Sequence, residues 1–310
     1  MDFSTNYTVR TDMADEIVEG LYGKKGKTDD GITFKSTSFG RIRCEEMTVD
    51  KDISWGDSNR QKGQYVTVSL DEIKNFTREE FETAAAVISN QIQKLLPEDE
   101  GLCLIVCLGN RNLVADAIGP LAAEKIIVSR HIKLHSHKLF TTMGLGECSC
   151  IVTGVLGETG MEAAELAESA VKKIKPKAVI AVDALASRRL SRLVKTVQIS
   201  DTGISPGSGV NNQRSEISQR TLGVPVICVG VPTVVEATTV CADILGEKLG
   251  VDNSAIREVQ KTLNENPTGF FVTPKDADVY VKTMAKLVGY SINKAIHKQM
   301  TFSEMEELLS

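Results

Sequence analysis

No apolar run in this sequence approaches the roughly 20 residues that a membrane-spanning helix requires. The N-terminal stretch MDFSTNYTVRTDMADE has no apolar core of the secretory-signal kind. A soluble, cytoplasmic protein with no membrane partner is therefore expected. Excess positive charge is missing too: 36 Lys and Arg stand against 41 Asp and Glu, a formal net charge of −5. General nucleic-acid binders carry a basic face that competes for phosphate, so no direct nucleic-acid partner is expected. The cysteine pattern of a zinc ribbon is absent. There are seven cysteines, and the one close pair, Cys148 and Cys150, has no second pair to complete a site. Cys103 and Cys107 in LCLIVCL, and Cys228 in VICVG, read as small buried hydrophobes in a reducing compartment.

Several signatures of common chemistry are also lacking. Neither G-x-G-x-x-G nor G-x-x-x-x-G-K-S/T occurs, so no nucleotide fingerprint is present. A serine nucleophile is poorly supported: Gly207-Ser208-Gly209 places a serine in a loop, but no base is evident. There is no H-E-x-x-H either. His131 and His135 would share a face on a helix, and His135 and His137 on a strand, but Lys133 and Lys138 lie within and beside this tract. It reads as a solvated polar segment, with no metal and no cofactor expected.

What is present is a chain of 310 residues with alternating strand and helix signals, long enough to bury a sizeable core. Residues 9–64 are polar and weakly periodic and read as an irregular N-terminal segment, with room for short strands over 34–49. Tyr65 to Leu70 alternates like a strand. Thr77 and Glu80 form a capping box, followed by Phe81, Ala84, Ala85, Ile88, Ile92 and Leu95 at helical spacing and by Pro97 as a stop. Leu102–Leu108, Ala178–Val182 and Val226–Val229 are continuous apolar runs, the mark of strands covered on both faces. Thr196 to Ile199 suggests an edge strand. Helices are expected over 160–174 and 234–249, and a helical tail over 274–310. This rhythm predicts an α/β fold with a mostly parallel, doubly wound sheet flanked by helices.

In such sheets ligands bind beyond the carboxyl ends of the strands. Two of the three loops there carry one aspartate each: Asp116 after the first buried strand and Asp183 after the second. Two carboxylates in one pocket do not both ionise cheaply, so one keeps a proton while the other does not. That division suits amide hydrolysis, with one group activating water and the other donating to the carbonyl oxygen or leaving amine. The competing reading is that both aspartates are caps. A glycine-rich loop with Gly207, Ser208 and Gly209 offers backbone amides to a peptide carbonyl or an anion, or is a plain exposed loop. Asn110 opens the loop before Asp116 and is a candidate supporting residue.

Four strings in order, LGNRNLVADAIGP (108–120), VIAVDALASR (179–188), QISDTGISPGSGVNNQR (198–214) and LGVPVICVGVPTVVEA (222–237), resemble the germination protease family of spore-forming bacteria. The resemblance runs from VRTDMADE (9–16) to the tail at 271–297. It implies an endopeptidase of the spore core that degrades small acid-soluble spore proteins at germination. It also implies a fold resembling that of the hydrogenase-maturation endopeptidases, with added N-terminal segments and a helical C-terminus. The family is made as an inactive homotetrameric zymogen that trims its own N-terminus by an aspartic-type mechanism, and its two catalytic aspartates match Asp116 and Asp183. By the same resemblance residues 1–8 are a propeptide cut near Tyr7 or Thr8, leaving a single peptidase domain over 9–310. A metal-dependent endopeptidase, with metal held by the same loops, is the alternative. The sequence departs from the family at two places: Val114-Ala115 stands where Thr-Pro is usual, and Asn211 where glycine is usual.

Overall fold

The computed structural model describes residues 10–22, 31–55, 58–205, 215–265 and 269–309. Among the described residues the first element is helix α1 (Ala14–Tyr22). Strands β1 (Ile32–Phe39) and β2 (Ile42–Val49) follow, then the short pair β3 (Ile53–Trp55) and β4 (Ser58–Arg60), then β5 (Gly63–Leu70). The expectation of an irregular segment over 9–64 is thereby corrected, because this region supplies a helix and a large part of the main sheet. The alternation was hard to read because β1 buries only Ile32, while β2 buries one face through Ile42 and Cys44 and then the other through Met47 and Val49, with Glu45 and Glu46 between. Long-range pairing, not local pattern, makes these strands.

Helix α2 (Arg78–Leu95) starts on the expected capping box: Glu80 N–H donates to Thr77 Oγ1 at 3.2 Å, and Thr77 N–H donates to Glu80 Oε2 at 2.8 Å. Strand β6 (Cys103–Leu108) leads through a 3-10 turn at Val114–Asp116 into α3 (Ile118–Ala123). Then come α4 (Arg130–His135), α5 (His137–Thr142), β7 (Cys148–Gly154), α6 (Leu156–Thr159), α7 (Ala163–Ile174), β8 (Ala178–Ala186) and β9 (Thr196–Ser200). The last third holds α8 (Gln219–Leu222), β10 (Val226–Glu236), α9 (Ala237–Asp243), α10 (Asn253–Asn264), β11 (Phe271–Val272), α11 (Ala277–Ile296) and α12 (Phe302–Leu309).

The main sheet runs β1-β2-β5-β9-β10-β8-β6-β7, with β11 added beside the end of β10. Strands β10, β8, β6 and β7 are parallel and form the expected α/β core. Strands β1, β2, β5 and β9 continue it by antiparallel pairing, joined to β10 through β9. One face packs on α2, α3 and α11 through Ile105, Ile180, Val182, Ile88 and Leu287. The other packs on α7 through Leu104, Val106, Val179, Ala181 and Ala167. Each buried Val, Leu or Ile among them contributes about 1.5–3 kcal/mol of transfer free energy.

Two expectations change here. Strand β9 is not an edge: it lies between β5 and β10, with all five residues buried. The helix expected from residue 234 begins at Ala237, because β10 continues through the β-branched Val234 and Val235 and pairs with β11 there. His131, His135 and His137 are all exposed on α4 and α5, as the polar reading required. Among the described residues no helix is long and apolar enough to cross a membrane.

Candidate active site

Strand β6 ends at Leu108, and the chain turns sharply at Gly109, whose φ is +110°. A Cβ at Gly109 would collide with the carbonyl of Asp116, so only glycine lets the following turn fold back over the strand end. That turn places Asp116 half-buried. Its Oδ2 accepts the Asn110 N–H at 2.9 Å. The Asn110 side chain closes its own loop, with Oδ1 accepting the Asn112 N–H at 2.8 Å. Asn110 thus holds Asp116 through its backbone rather than its amide group.

Two further contacts fix the turn. Thr233 of β10, fully buried, donates its hydroxyl to the Ala115 carbonyl at 2.5 Å. The Thr273 hydroxyl in turn donates to the Thr233 carbonyl at 2.9 Å. Behind the turn, Gly119 of α3 lies on the strand ends: a Cβ there would collide with the Leu108 carbonyl and come within 2.9 Å of the Val182 carbonyl. The residue types explain the closeness, since a side chain at 119 would hold α3 off the sheet.

Asp183 is not past its strand, as the sequence suggested, but inside β8. The β6 pairing ends one residue earlier, at Cys107 with Val182, and Asp183 pairs with Gly230 of β10. It is 5% exposed, and its Oδ1 accepts the Ala184 N–H at 2.8 Å. By alternation it shares a face with Val179 and Ala181. A cavity of about 480 Å3 opens on this side, lined by Leu185, Gly230 and Cys228 and closed by Gln198, Ser200 and Arg60. Burial pushes the Cys228 thiol upward, and the charge of Asp183 adds to the effect. The Asp116 turn packs against β8 and β10, so the two aspartates belong to one end of the parallel core. Tyr7, Thr8, Gly207, Ser208 and Gly209 lie outside the described residues.

Sequence reasoning missed what covers this end. Residues 10–16 cross it. Asp12 N–H donates to the Ala186 carbonyl and Ala186 N–H to Asp12 Oδ2, both at 2.8 Å. Gln198 clamps both sides, accepting the Ala14 N–H at 2.7 Å and donating to the Asp12 carbonyl at 2.9 Å. Arg60 lies 3.7 Å from Asp12 Oδ1, and Arg10 pairs with Glu236 at 3.0 Å. Glu16 is fully buried and accepts from Arg188 N–H at 2.6 Å, Arg189 N–H at 3.0 Å and the Thr11 hydroxyl at 2.5 Å. Burial raises the Glu16 carboxyl above its usual range, and neighbouring Asp15 raises it further, against Arg192. A buried polar residue in a strand, Gln198, was the one sequence signal for such a partner.

Other nucleophile arrangements are weak here. Cys148 lies 3.9 Å from His297 Nε2, but burial pushes its thiol up to about 12, the reverse of activation. Among the described residues no group of three or more His, Cys, Asp or Glu is placed to hold a metal ion. What remains is two aspartates at one end of the parallel core, each accepting a backbone amide; neither lines the cavity, which Leu185 and Gly230 border on the Asp183 side. Two carboxyl groups can activate water and pass a proton.

A family model described as germination protease matches residues 11–251. The germination protease of Clostridium tetani is 35% identical over 323 residues, covering 98% of this chain and 100% of its own. That of Clostridium acetobutylicum is 34% identical, covering 98% and 99%. That of Caldanaerobacter subterraneus is 35% identical, covering 97% and 98%. Among solved structures, a NiFe hydrogenase maturation protease from Thermococcus kodakarensis aligns with a TM-score of 0.36 and 16% identity, covering 66% of this chain and 98% of its own.

Proposed function

This chain belongs to the germination protease family and is an endopeptidase, and from that premise we propose that it degrades small acid-soluble spore proteins with Asp116 and Asp183 as its catalytic pair. One carboxylate takes a proton from water as it attacks the peptide carbonyl. The other carries a proton and donates it to the departing amine. The observation that carries this reading is the packing of the Asp116 turn onto β8, where Asp183 leaves the shelter of β6.

The same reading makes the protein a spore-core homotetramer, formed as a zymogen that removes residues 1–8 itself near Tyr7 and Thr8. Its support is the path of Arg10 to Ala14, which meets Ala186 only three residues beyond Asp183. The loop with Gly207, Ser208 and Gly209 holds the substrate backbone; Ser205, just before it, lines the cavity.

The test is cleavage of a purified small acid-soluble spore protein by the matured chain. Asp116→Asn and Asp183→Asn are each expected to slow cleavage by at least about 100-fold. Cleavage that persists in both variants sinks the two-carboxylate mechanism. Sedimentation of the purified protein checks the tetramer.

A further inference from the structure

Cys107, expected to be a small buried hydrophobe, has a second thiol, that of Cys150, as its neighbour. Strands β6 and β7 run parallel, with Ile105 opposite Cys150 and Cys107 opposite Val152. Cys107 and Cys150 are therefore diagonal neighbours, and both pack toward the α2–α3–α11 side. Their sulfurs lie 3.8 Å apart and share a hydrogen bond. Cys107 is fully buried, whereas Cys150 is partly exposed. The shared bond makes Cys107 hold its proton and eases ionisation of Cys150. A partly exposed, more readily ionised thiol beside a buried partner is an arrangement that redox-sensitive cysteines use.

The pair also sits at a sensitive point. Between Cys107 and Leu108 the β6–β7 register slips, from Val152 to Gly154. Gly109 comes next, folded tightly under the Asp116 carbonyl. A disulfide needs its sulfurs about 2.0 Å apart. Closing from 3.8 Å pulls on the end of β6 where the Asp116 turn is anchored.

We propose that Cys107 and Cys150 are an oxidisable dithiol, that a hydroperoxide converts it to an intramolecular disulfide, and that this bond suppresses peptidase activity. The Cys150 thiolate attacks the terminal oxygen of the hydroperoxide ROOH, and the O–O bond breaks. Cys150 becomes the sulfenic acid, and the alkoxide leaves with the thiol proton as ROH. The Cys107 sulfur then attacks the Cys150 sulfur, the S–S bond forms, and hydroxide departs with the Cys107 proton as water. Two thiols and one hydroperoxide give one disulfide, one alcohol and one water. The suppression of activity rests on the reading of Asp116 as catalytic; the disulfide itself does not.

The experiment treats the reduced, matured chain with one equivalent of tert-butyl hydroperoxide, alkylates remaining thiols, and maps non-reduced peptides by mass. One linked pair of peptides is expected, carrying Cys107 and Cys150 and lighter by two hydrogens. Cleavage should fall by roughly 10–100-fold, as expected for a misplaced catalytic group, and return with dithiothreitol. The Cys150→Ser variant should form no link and keep its activity under the same treatment. Both cysteines recovered as alkylated thiols would overturn the proposal. So would a link between Cys103 and Cys148, which also face each other across these strands but are both buried. A linked enzyme that cleaves at the reduced rate, while reduced Asp116→Asn is inactive, overturns the suppression. Activity in Asp116→Asn instead points to failure of the site reading, and leaves the mapped disulfide to stand or fall alone.

Discussion

His297 shows how little residue type alone says about role. It is fully buried at the end of α11, where Nδ1 accepts the Gly146 N–H at 3.2 Å and Nε2–H therefore donates to the Ile127 carbonyl at 2.8 Å. It bolts the segments around α4 and α5 to the tail helix, and burial lowers its pKa below the usual 6.5. Above that value the ring is neutral in both folded and unfolded chains and adds no pH slope. As pH falls from 6.5 toward the lowered native value, the unfolded chain takes up a proton that the folded one resists, and stability is lost. His297→Gln should therefore shrink the difference between urea midpoints measured near about pH 7 and about pH 5. A variant with the full wild-type difference would show that other groups cause it. Asp116 and Asp183 were recognisable as candidates from their places after apolar runs. The backbone amides of Asn110 and Ala184 that hold them were not, because local dihedrals choose those donors.

Elements with a strong local signal were the most legible. Helix α2 announces itself through Thr77, Glu80 and the spaced apolar residues, and α11 fills Ala277–Ile296 as its pattern requires. Thr77→Ala should cost about 1 kcal/mol in chemical denaturation and leave the cleavage rate unchanged, since the bonds of Thr77 and Glu80 stay within the cap and Arg41. Gly119→Ala is the opposite case, because its methyl would meet the Leu108 carbonyl and lift α3, with the Asp116 turn, from the strand ends. About 1–3 kcal/mol of stability is expected to be lost, together with most of the activity; an active, fully stable variant would show that α3 shifts freely. The ends of β8 and β10 were not legible. Both strands outrun their apolar cores because neighbours continue to offer pairing partners, which a one-dimensional pattern does not contain.

Across the whole molecule, the N-terminal segment matters most. Its residues 10–16 are held by Ala186, Gln198, Arg60 and the amides of Arg188 and Arg189, all more than 40 positions away. Glu16→Ala leaves those two amides without their carboxylate, an effect of about 1–3 kcal/mol per unsatisfied group. Limited proteolysis should then cut faster within residues 10–22, while the parallel core stays resistant. Unchanged protection would mean that Asp12 and Gln198 suffice to hold the segment.

The parallel α/β core, the two candidate aspartates and the family were readable along the chain, because each is written in contiguous residues: unbroken apolar runs, a cap, and four long strings. Only the folded chain shows that β1, β2 and β5 extend the same sheet, that β9 lies at its centre, and that residues 10–16 are tied to the end of β8 at Ala186. Those features depend on hydrogen bonds between distant backbone groups and on a few buried charges, and neither leaves a periodic trace along the chain.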